Sequence, residues 1–241
     1  MALPRVDIVV PVFNEKENFS VLFQNIQRCV QADWRLMVIY DRPDDTTLEV
    51  ASPLSASDAR IELITNASKG VLGAIKTGFN KATADAVLVL MVDDPLEIIE
   101  KIDELANAFY AENATIAVAS RYMNGGSHTG GPLLKGLLSR LAGVSLYYVI
   151  GLPTHDATYA TRLYRKSFLD RTTIETKEGF VFTLELTLKA YFGNEKIIEL
   201  PVNWEERVVG ESHFKLAKWL PMYLHWYVWG IKKRYFPFLI S

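Results

Sequence analysis

Short apolar runs rich in β-branched residues recur at Ile8–Val12, Leu36–Tyr40, Ile61–Ile64, Ala86–Met91 and Ile116–Ala119, with stretches of helical periodicity between them. Continuous apolar runs of this length read as buried parallel strands. After the first run, Phe19, Leu22, Phe23, Ile26 and Val30 fall on one helical face, and Asn14 with Glu17 three residues on resembles a capping box. Ile98, Ile102, Leu105 and Phe109 stripe another helix. Strand–helix alternation predicts a doubly wound α/β sheet flanked by helices, with ligands at the carboxyl ends of the strands.

The rhythm changes after Arg121. A glycine-rich loop, Gly125 to Pro132, leads into a helix over Leu133–Ile150. A strand over Ala160–Tyr164, a helix over Gly179–Phe192 and a strand over Lys196–Leu200 follow, and Phe214 onward is helical. With 241 residues and no linker or repeat, the chain reads as one domain over 1–213 and an appendage over 214–241. That appendage is apolar nearly all round from Trp219 to Ile231 and then carries Lys232, Lys233 and Arg234. Such a helix lies in a lipid interface, or packs on the domain or on a second subunit. Pro221 marks its first turn or a kink.

Composition removes several function classes. A formal net charge of −2 gives no nucleic-acid footprint, so any cationic site is local. Cys29 is the only cysteine, which excludes a disulfide framework and a cysteine zinc site and fits a cytoplasmic setting. Met1–Arg5 runs straight into the first strand, so no signal peptide is expected, and no run reaches the length of a spanning helix.

Chemistry-bearing residues cluster at predicted strand ends. The first strand ends Pro11-Val12-Phe13-Asn14-Glu15, where a nucleotide could sit or Asn14 could simply cap a helix. Asp41 closes the second strand, placed to bond a ribose or base; the alternative is a polar turn before a helix capped by Asp45 or Thr46. Lys69-Gly70-Val71-Leu72-Gly73 opens a helix whose free N–H groups suit an anion, or whose glycines serve tight packing. Neither a Walker loop nor the dinucleotide fingerprint is present, which argues against an NAD-dependent oxidoreductase. Asp93 and Asp94 could hold Mg²⁺ or Mn²⁺ if the chain turns at Pro95, or one could cap the next helix. Arg121, Lys135, Arg140, Arg162, Arg165 and Arg207 are candidates for phosphate oxygens.

Taken in order, these segments resemble family-2 glycosyltransferases of the GT-A fold, within them the dolichyl- or polyprenyl-phosphate mannose synthases. The resemblance covers nearly the whole chain. P-V-F-N-E is similar to P-x-[YF]-N-E, Asp41 to the nucleotide-binding aspartate, and K-G-V-L-G-A to the GLG-A segment. S-R-Y with the later G-G is similar to G-[ST]-R-Y…GG, and D-A-T-Y-A-T-R-L-Y-R to D-x-T-S-G-F-R-L-Y-R. Gly179-Phe180-Val181-Phe182 with Glu185 is similar to G-[YF]-x-F…E, and Glu206 to Ser212 resembles x-R-x-x-G-E-S-K up to its lysine.

The resemblance implies a GDP- or UDP-linked sugar donor, a divalent metal and a polyprenyl-phosphate acceptor at the cytoplasmic face of a membrane. A membrane-protein partner or a homo-oligomer is compatible with it. It implies nucleotide contacts from Pro11, Phe13, Glu15, Asp41, Gly70 and Asp93, and a metal on Asp93 or Asp94. Arg121, Arg207 and one of Lys135 or Arg140 would neutralise phosphates, with Asp94 counted among the catalytic residues. Asp156, Arg162, Glu185, Ser212 and Lys215 fall in the acceptor-side motifs. The expected reaction is a single inverting displacement. A phosphate acceptor is already ionised and needs little base, whereas a soluble sugar or protein acceptor would need one, for which Asp156 and Glu185 are the candidates.

The chain also departs from the pattern. The acidic D-A-D-L motif is contracted to V-D-D-P-L, Arg42 follows Asp41, Tyr159-Ala160-Thr161 replaces S-G-F, and His213 replaces the final lysine, with Lys215 two residues later. The contracted acidic motif favours one rival reading, a degenerate paralogue that binds nucleotide sugars or partners a membrane protein.

Overall fold

The computed structural model describes residues 4–130, 133–205 and 216–239. The strands read from sequence form β1 (Arg5–Val12), β2 (Asp33–Tyr40), β3 (Ile61–Thr65), β4 (Ala86–Val89) and β5 (Ile116–Ser120). The helices between them are α1 (Lys16–Cys29), α2 (Leu48–Ser57), α3 (Gly70–Lys81), α4 (Leu96–Glu100) and α5 (Ile102–Ala111). The stripe from Ile98 to Phe109, expected as one helix, is divided at Lys101. The second half adds β6 (Ser127–Thr129), α6 (Leu133–Ile150), β7 (Arg162–Arg165), α7 (Lys166–Arg171), α8 (Phe182–Phe192), β8 (Ile197–Pro201), β9 (Asn203–Glu205) and α9 (Leu216–Tyr235). A short 3₁₀ turn over Pro237–Leu239 follows.

The main sheet is seven-stranded in the order β3-β2-β1-β4-β7-β5-β8, and β6 pairs with β9 in a separate two-stranded sheet. β1 pairs in parallel with β2 and β4, so the chain winds one way from β1 and then returns to its other side. That reversal places the ligand crevice at the carboxyl ends of β1 and β4. β7 enters antiparallel between β4 and β5, pairing Val89 with Arg162. The sheet is therefore mixed, and the residues preceding β7 lie over the carboxyl end of β4.

One sheet face packs on α1, α4 and α5 through residues such as Phe19, Ile26, Ile98 and Phe109, and the other on α3 and α8 through Ile75, Phe79 and Phe182. A third cluster joins α6, α8 and α9 around Leu146, Leu184, Leu188, Trp219 and Trp226. Pro221 lies inside α9 rather than at a described helix start. Asp7 sits fully buried within the β1 apolar run, held by Arg35 at 2.6 Å and by the N–H groups of Thr83 and Ala84 at 2.6 and 2.8 Å. Among the described residues no helix is long and apolar enough to cross a membrane.

The first loop differs from its expected form. The residue before α1 is Glu15, without a side-chain cap, and Asn14 takes a left-handed φ of 55°. Asn14 instead bonds sideways: its N–H donates to Asp45 Oδ1 at 3.0 Å and its side-chain oxygen accepts from Thr46 N at 3.2 Å. Glu15 N donates to Thr47 Oγ1 at 2.9 Å. Asn14 and Glu15 thus latch two strand-end loops together, because a left-handed Asn turns its amide away from the helix start.

Candidate active site

The nucleotide side lies at the ends of β1 and β2. Phe13 is exposed there, whereas Pro11 is buried inside β1 opposite Ile39 and presents no open surface. Asp41 accepts from Asn66 Nδ2 at 2.5 Å and from Gly70 N at 3.0 Å. The start of α3, expected to offer its N–H groups to an anion, therefore already meets one in the Asp41 carboxylate. Gly70 has a φ of +76°, and a Cβ there would meet no atom within 4 Å, so open space borders this corner. Asn66 was not singled out in sequence; its side chain also accepts from Ser68 N and Thr77 Oγ1, which makes it the hub of the corner.

At the end of β4 the two aspartates separate. Asp93 is exposed. Asp94 is buried: its Oδ1 accepts the Tyr159 hydroxyl at 2.6 Å, and its Oδ2 accepts from Met91 N at 2.9 Å and from the Thr161 hydroxyl. Burial, then the charge of Asp93, push the Asp94 carboxyl up to about 6 against those hydrogen bonds. The expectation that Asp94 serves as a metal ligand or a catalytic group is corrected here, since its oxygens are enclosed and committed to donors. In the turn that follows β4, Asp93 is the one of the pair that faces out.

On the far side of the crevice Arg121 follows β5. Its Nε and Nη2 clasp Asp156 at 2.7 and 3.1 Å, and its guanidinium lies 4.5 Å from the Tyr159 ring centre. Burial opposes the Arg121 charge, but Asp156 outweighs it and the pKa rises above its ordinary value. Burial likewise acts to raise the Asp156 carboxyl, yet Arg121 more than compensates and holds it low. Asp156 also accepts Tyr159 N at 3.1 Å. Its assignment as an acceptor contact is corrected to an anchor for Arg121, and a carboxyl held low is a poor base.

Two further assignments change. Arg162 is fully buried and donates to Tyr159 O, Asp156 O and Thr187 Oγ1 at 2.5, 3.2 and 2.7 Å. It pins the loop before β7 to α8 rather than meeting phosphate. Glu185, expected beside the apolar face of its helix, is fully buried because α8 is covered nearly all round. It accepts Glu175 N and Thr176 N at 2.6 and 2.8 Å and pairs with Lys189 at 2.8 Å. Arg140 is exposed on α6. The Lys135 side chain and all of Arg207, Ser212 and Lys215 lie outside the described residues.

The structure adds Tyr223 of α9, packed in the third cluster. It is partly buried there, and burial raises its hydroxyl pKa.

For a divalent ion, the described residues contain no group of three or more His, Cys, Asp or Glu side chains that could hold one. Of the two aspartates in the turn after β4, Asp93 is the exposed one, and a single carboxylate together with substrate phosphates is a common way of holding Mg²⁺.

Comparison with known proteins identifies the family and the fold. The model of glycosyl transferase family 2 matches residues 7–173. Polyprenol monophosphomannose synthase of Mycolicibacterium smegmatis is 28% identical over 232 residues, covering 89% of this chain and 86% of that protein. Undecaprenyl-phosphate mannosyltransferase of Micrococcus luteus is 27% identical, covering 86% of each. Dolichol-phosphate mannosyltransferase of Pyrococcus furiosus is 28% identical, and the match spans 88% of this chain but 59% of that protein. In fold, the chain is similar to glucosyl-3-phosphoglycerate synthase of Mycobacterium tuberculosis, solved with Mn²⁺ and UDP, with a TM-score of 0.68 at 14% identity over 96% of this chain and 80% of that one. By the family model and by its mixed GT-A sheet, the chain belongs to glycosyl transferase family 2.

Proposed function

We propose that the chain moves a hexose, with inversion, from a GDP- or UDP-linked sugar to a polyprenyl or dolichyl phosphate at the cytoplasmic face of a membrane. One observation carries the choice of acceptor: Asp156 and Glu185, the two carboxylates considered for proton removal, are both fully buried and held by Arg121 and Lys189. An acceptor hydroxyl requires a base, whereas a phosphate monoester is already ionised. The relatives named for polyprenol, undecaprenyl and dolichol phosphate support the same reading.

The work left to the protein is positioning and charge stabilisation. Asp41, with Asn66 and Gly70, forms the nucleoside corner, and Phe13 and Glu15 border it. Asp93 would hold Mg²⁺ or Mn²⁺ on the donor diphosphate, where the ion would offset charge on the leaving group. Arg121 supplies a permanent cation across the crevice, joined in this reading by Arg207, Lys135 or Arg140, Ser212 and Lys215.

The tail over 214–241 is read as the membrane-facing part. α6 and α9 pack together, Ser145 Oγ lying 2.9 Å from Tyr227 Oη. Both carry exposed apolar residues, Leu137, Leu141 and Tyr148 on one and Leu224 and Val228 on the other, with Phe238 beyond. Lys232 and Arg234 are exposed beside them and suit anionic head groups.

The burial of Asp94 favours a second reading, a protein that binds sugar nucleotides without transferring them. A thermal-shift panel of GDP- and UDP-sugars with and without Mn²⁺ tests the donor site common to both readings, because ligand bound only to the folded state raises its melting point. A panel with no shift for any nucleotide contradicts both.

A further inference from the structure

Three departures from the family pattern meet in space. Asp94 stands in the contracted acidic motif, and Tyr159 and Thr161 stand where the later motif carries S and F. Those stretches are far apart in sequence, yet the Tyr159 hydroxyl donates to Asp94 Oδ1 at 2.6 Å and the Thr161 hydroxyl donates to Oδ2. All three side chains are buried. Met91 N donates to Asp94 Oδ2 at 2.9 Å and Asp94 N donates to Met91 O at 3.1 Å, so the same carboxylate closes the turn that presents Asp93. Tyr159 then continues the connection. Its ring faces the Arg121 guanidinium at 4.5 Å, and its N–H donates to Asp156, the partner of Arg121, at 3.1 Å.

We propose that Asp94, Tyr159 and Thr161 form a positioning clamp that fixes the Asp93 turn relative to the Arg121–Asp156 pair, and so sets the distance between the donor side and the acceptor side of the crevice. In this chain the acidic motif has divided its labour: Asp93 meets the donor, and Asp94 is a positioning residue. The antiparallel entry of β7 makes this possible, because it brings residues 159–161 over the end of β4. Loss of residues from the acidic motif is thereby offset by hydroxyls from the neighbouring loop. The clamp rests on the glycosyltransferase reading above.

The test uses the full chain and the variants D93N, D94N, Y159F, T161V and T161S. Isothermal titration with UDP and with GDP, each with and without Mn²⁺, reads the donor side, and steady-state transfer to polyprenyl phosphate reads kcat and KM. A misplacement on the scale of an ångström lowers rates by up to about a hundredfold, so Y159F and T161V should lose about tenfold or more in kcat. Their donor KM and nucleotide affinity should move by less than about twofold, the signature of an interaction that serves the transition state. T161S, which keeps the hydroxyl, should restore the rate that T161V loses. D93N should abolish the Mn²⁺-dependent part of nucleotide binding while D94N retains it. Equal loss in D93N and D94N would make Asp94 a ligand and overturn the clamp, as would an unchanged kcat in both Y159F and T161V. If the wild-type chain binds UDP or GDP but transfers no sugar, the transfer reading fails, and the contrast between D93N and D94N in binding still decides the clamp.

Discussion

Tyr159 donates its hydroxyl to Asp94 at 2.6 Å, across 65 residues of sequence, and so ties the loop before β7 to the turn after β4. The turn faces the proposed donor and the loop carries the anchor of Arg121. The crevice is thus built from two halves joined by buried polar contacts.

Asp156→Ala would leave the Arg121 guanidinium buried beside no carboxylate. Breaking a buried pair from one side costs about 3–5 kcal/mol, so a large drop in urea-unfolding free energy is expected. Removing both charges in the Arg121→Met, Asp156→Leu double variant should recover part of that stability while activity stays lost. A sum of single effects in the double variant would show that the two residues do not act as a pair.

Acid should unfold the chain partly through Asp7. Burial alone would raise its carboxyl, but the hydrogen bond from Arg35 and those from Ala84 and Thr83 hold it below its ordinary 3.8. A lowered carboxyl contributes stability that is present above 3.8 and lost as pH falls through its folded value. Asp94 titrates with the opposite sign, so the comparison is between wild type and Asp7→Asn, in which Asp94 cancels. The variant should be less stable by about 1.5–3 kcal/mol at pH 7. Urea unfolding at intervals from pH 7 to pH 3 should show that difference shrinking as the pH drops below about 4.

Gly179→Ala should loosen the start of α9. Gly179 has a φ of +73°, and a Cβ there would lie 2.7 Å from the Trp219 ring. Backbone strain and the clash act together, at about 1–3 kcal/mol each. A red shift of tryptophan emission and earlier proteolysis within the tail are expected, with the main thermal transition retained.

Membrane contact should depend on both kinds of tail residue. Leu224→Asp with Val228→Asp should abolish flotation with anionic liposomes. Neutralising Lys232 and Arg234 should weaken it by about 1 kcal/mol per charge, an effect that salt should mimic. Wild-type protein that stays in the soluble fraction with and without polyprenyl phosphate would remove the tail from the membrane.

Much of this architecture was legible in the sequence because apolar runs and helical stripes report burial directly. All the strands of the first half fall where β-branched residues predicted, and the strand ends carry Asp41, Asp93 and Arg121. What escaped is what depends on tertiary pairing. The insertion of β7 between β4 and β5 has no local signal, so the meeting of Asp94 with Tyr159 and Thr161 could not be foreseen. Arg162 and Glu185 looked like site residues because charge in a motif suggests ligand; Glu185 is buried because α8 is covered on nearly every side, and Arg162 because β7 lies between β4 and β5, neither of which periodicity alone shows. Asn14 matched the spacing of a cap, and its left-handed backbone redirected it to the neighbouring loop.

The central claim, sugar transfer to a lipid phosphate, is tested most directly by incubating the full chain with radiolabelled GDP-mannose or UDP-glucose, Mn²⁺ and vesicles containing polyprenyl phosphate, and following label into the organic phase. The account predicts a lipid-linked glycosyl phosphate of inverted anomeric configuration, labile to mild acid, formed by wild type and lost in Asp93→Asn. Label that remains entirely water-soluble with every donor, from protein that binds the same nucleotides, would contradict it.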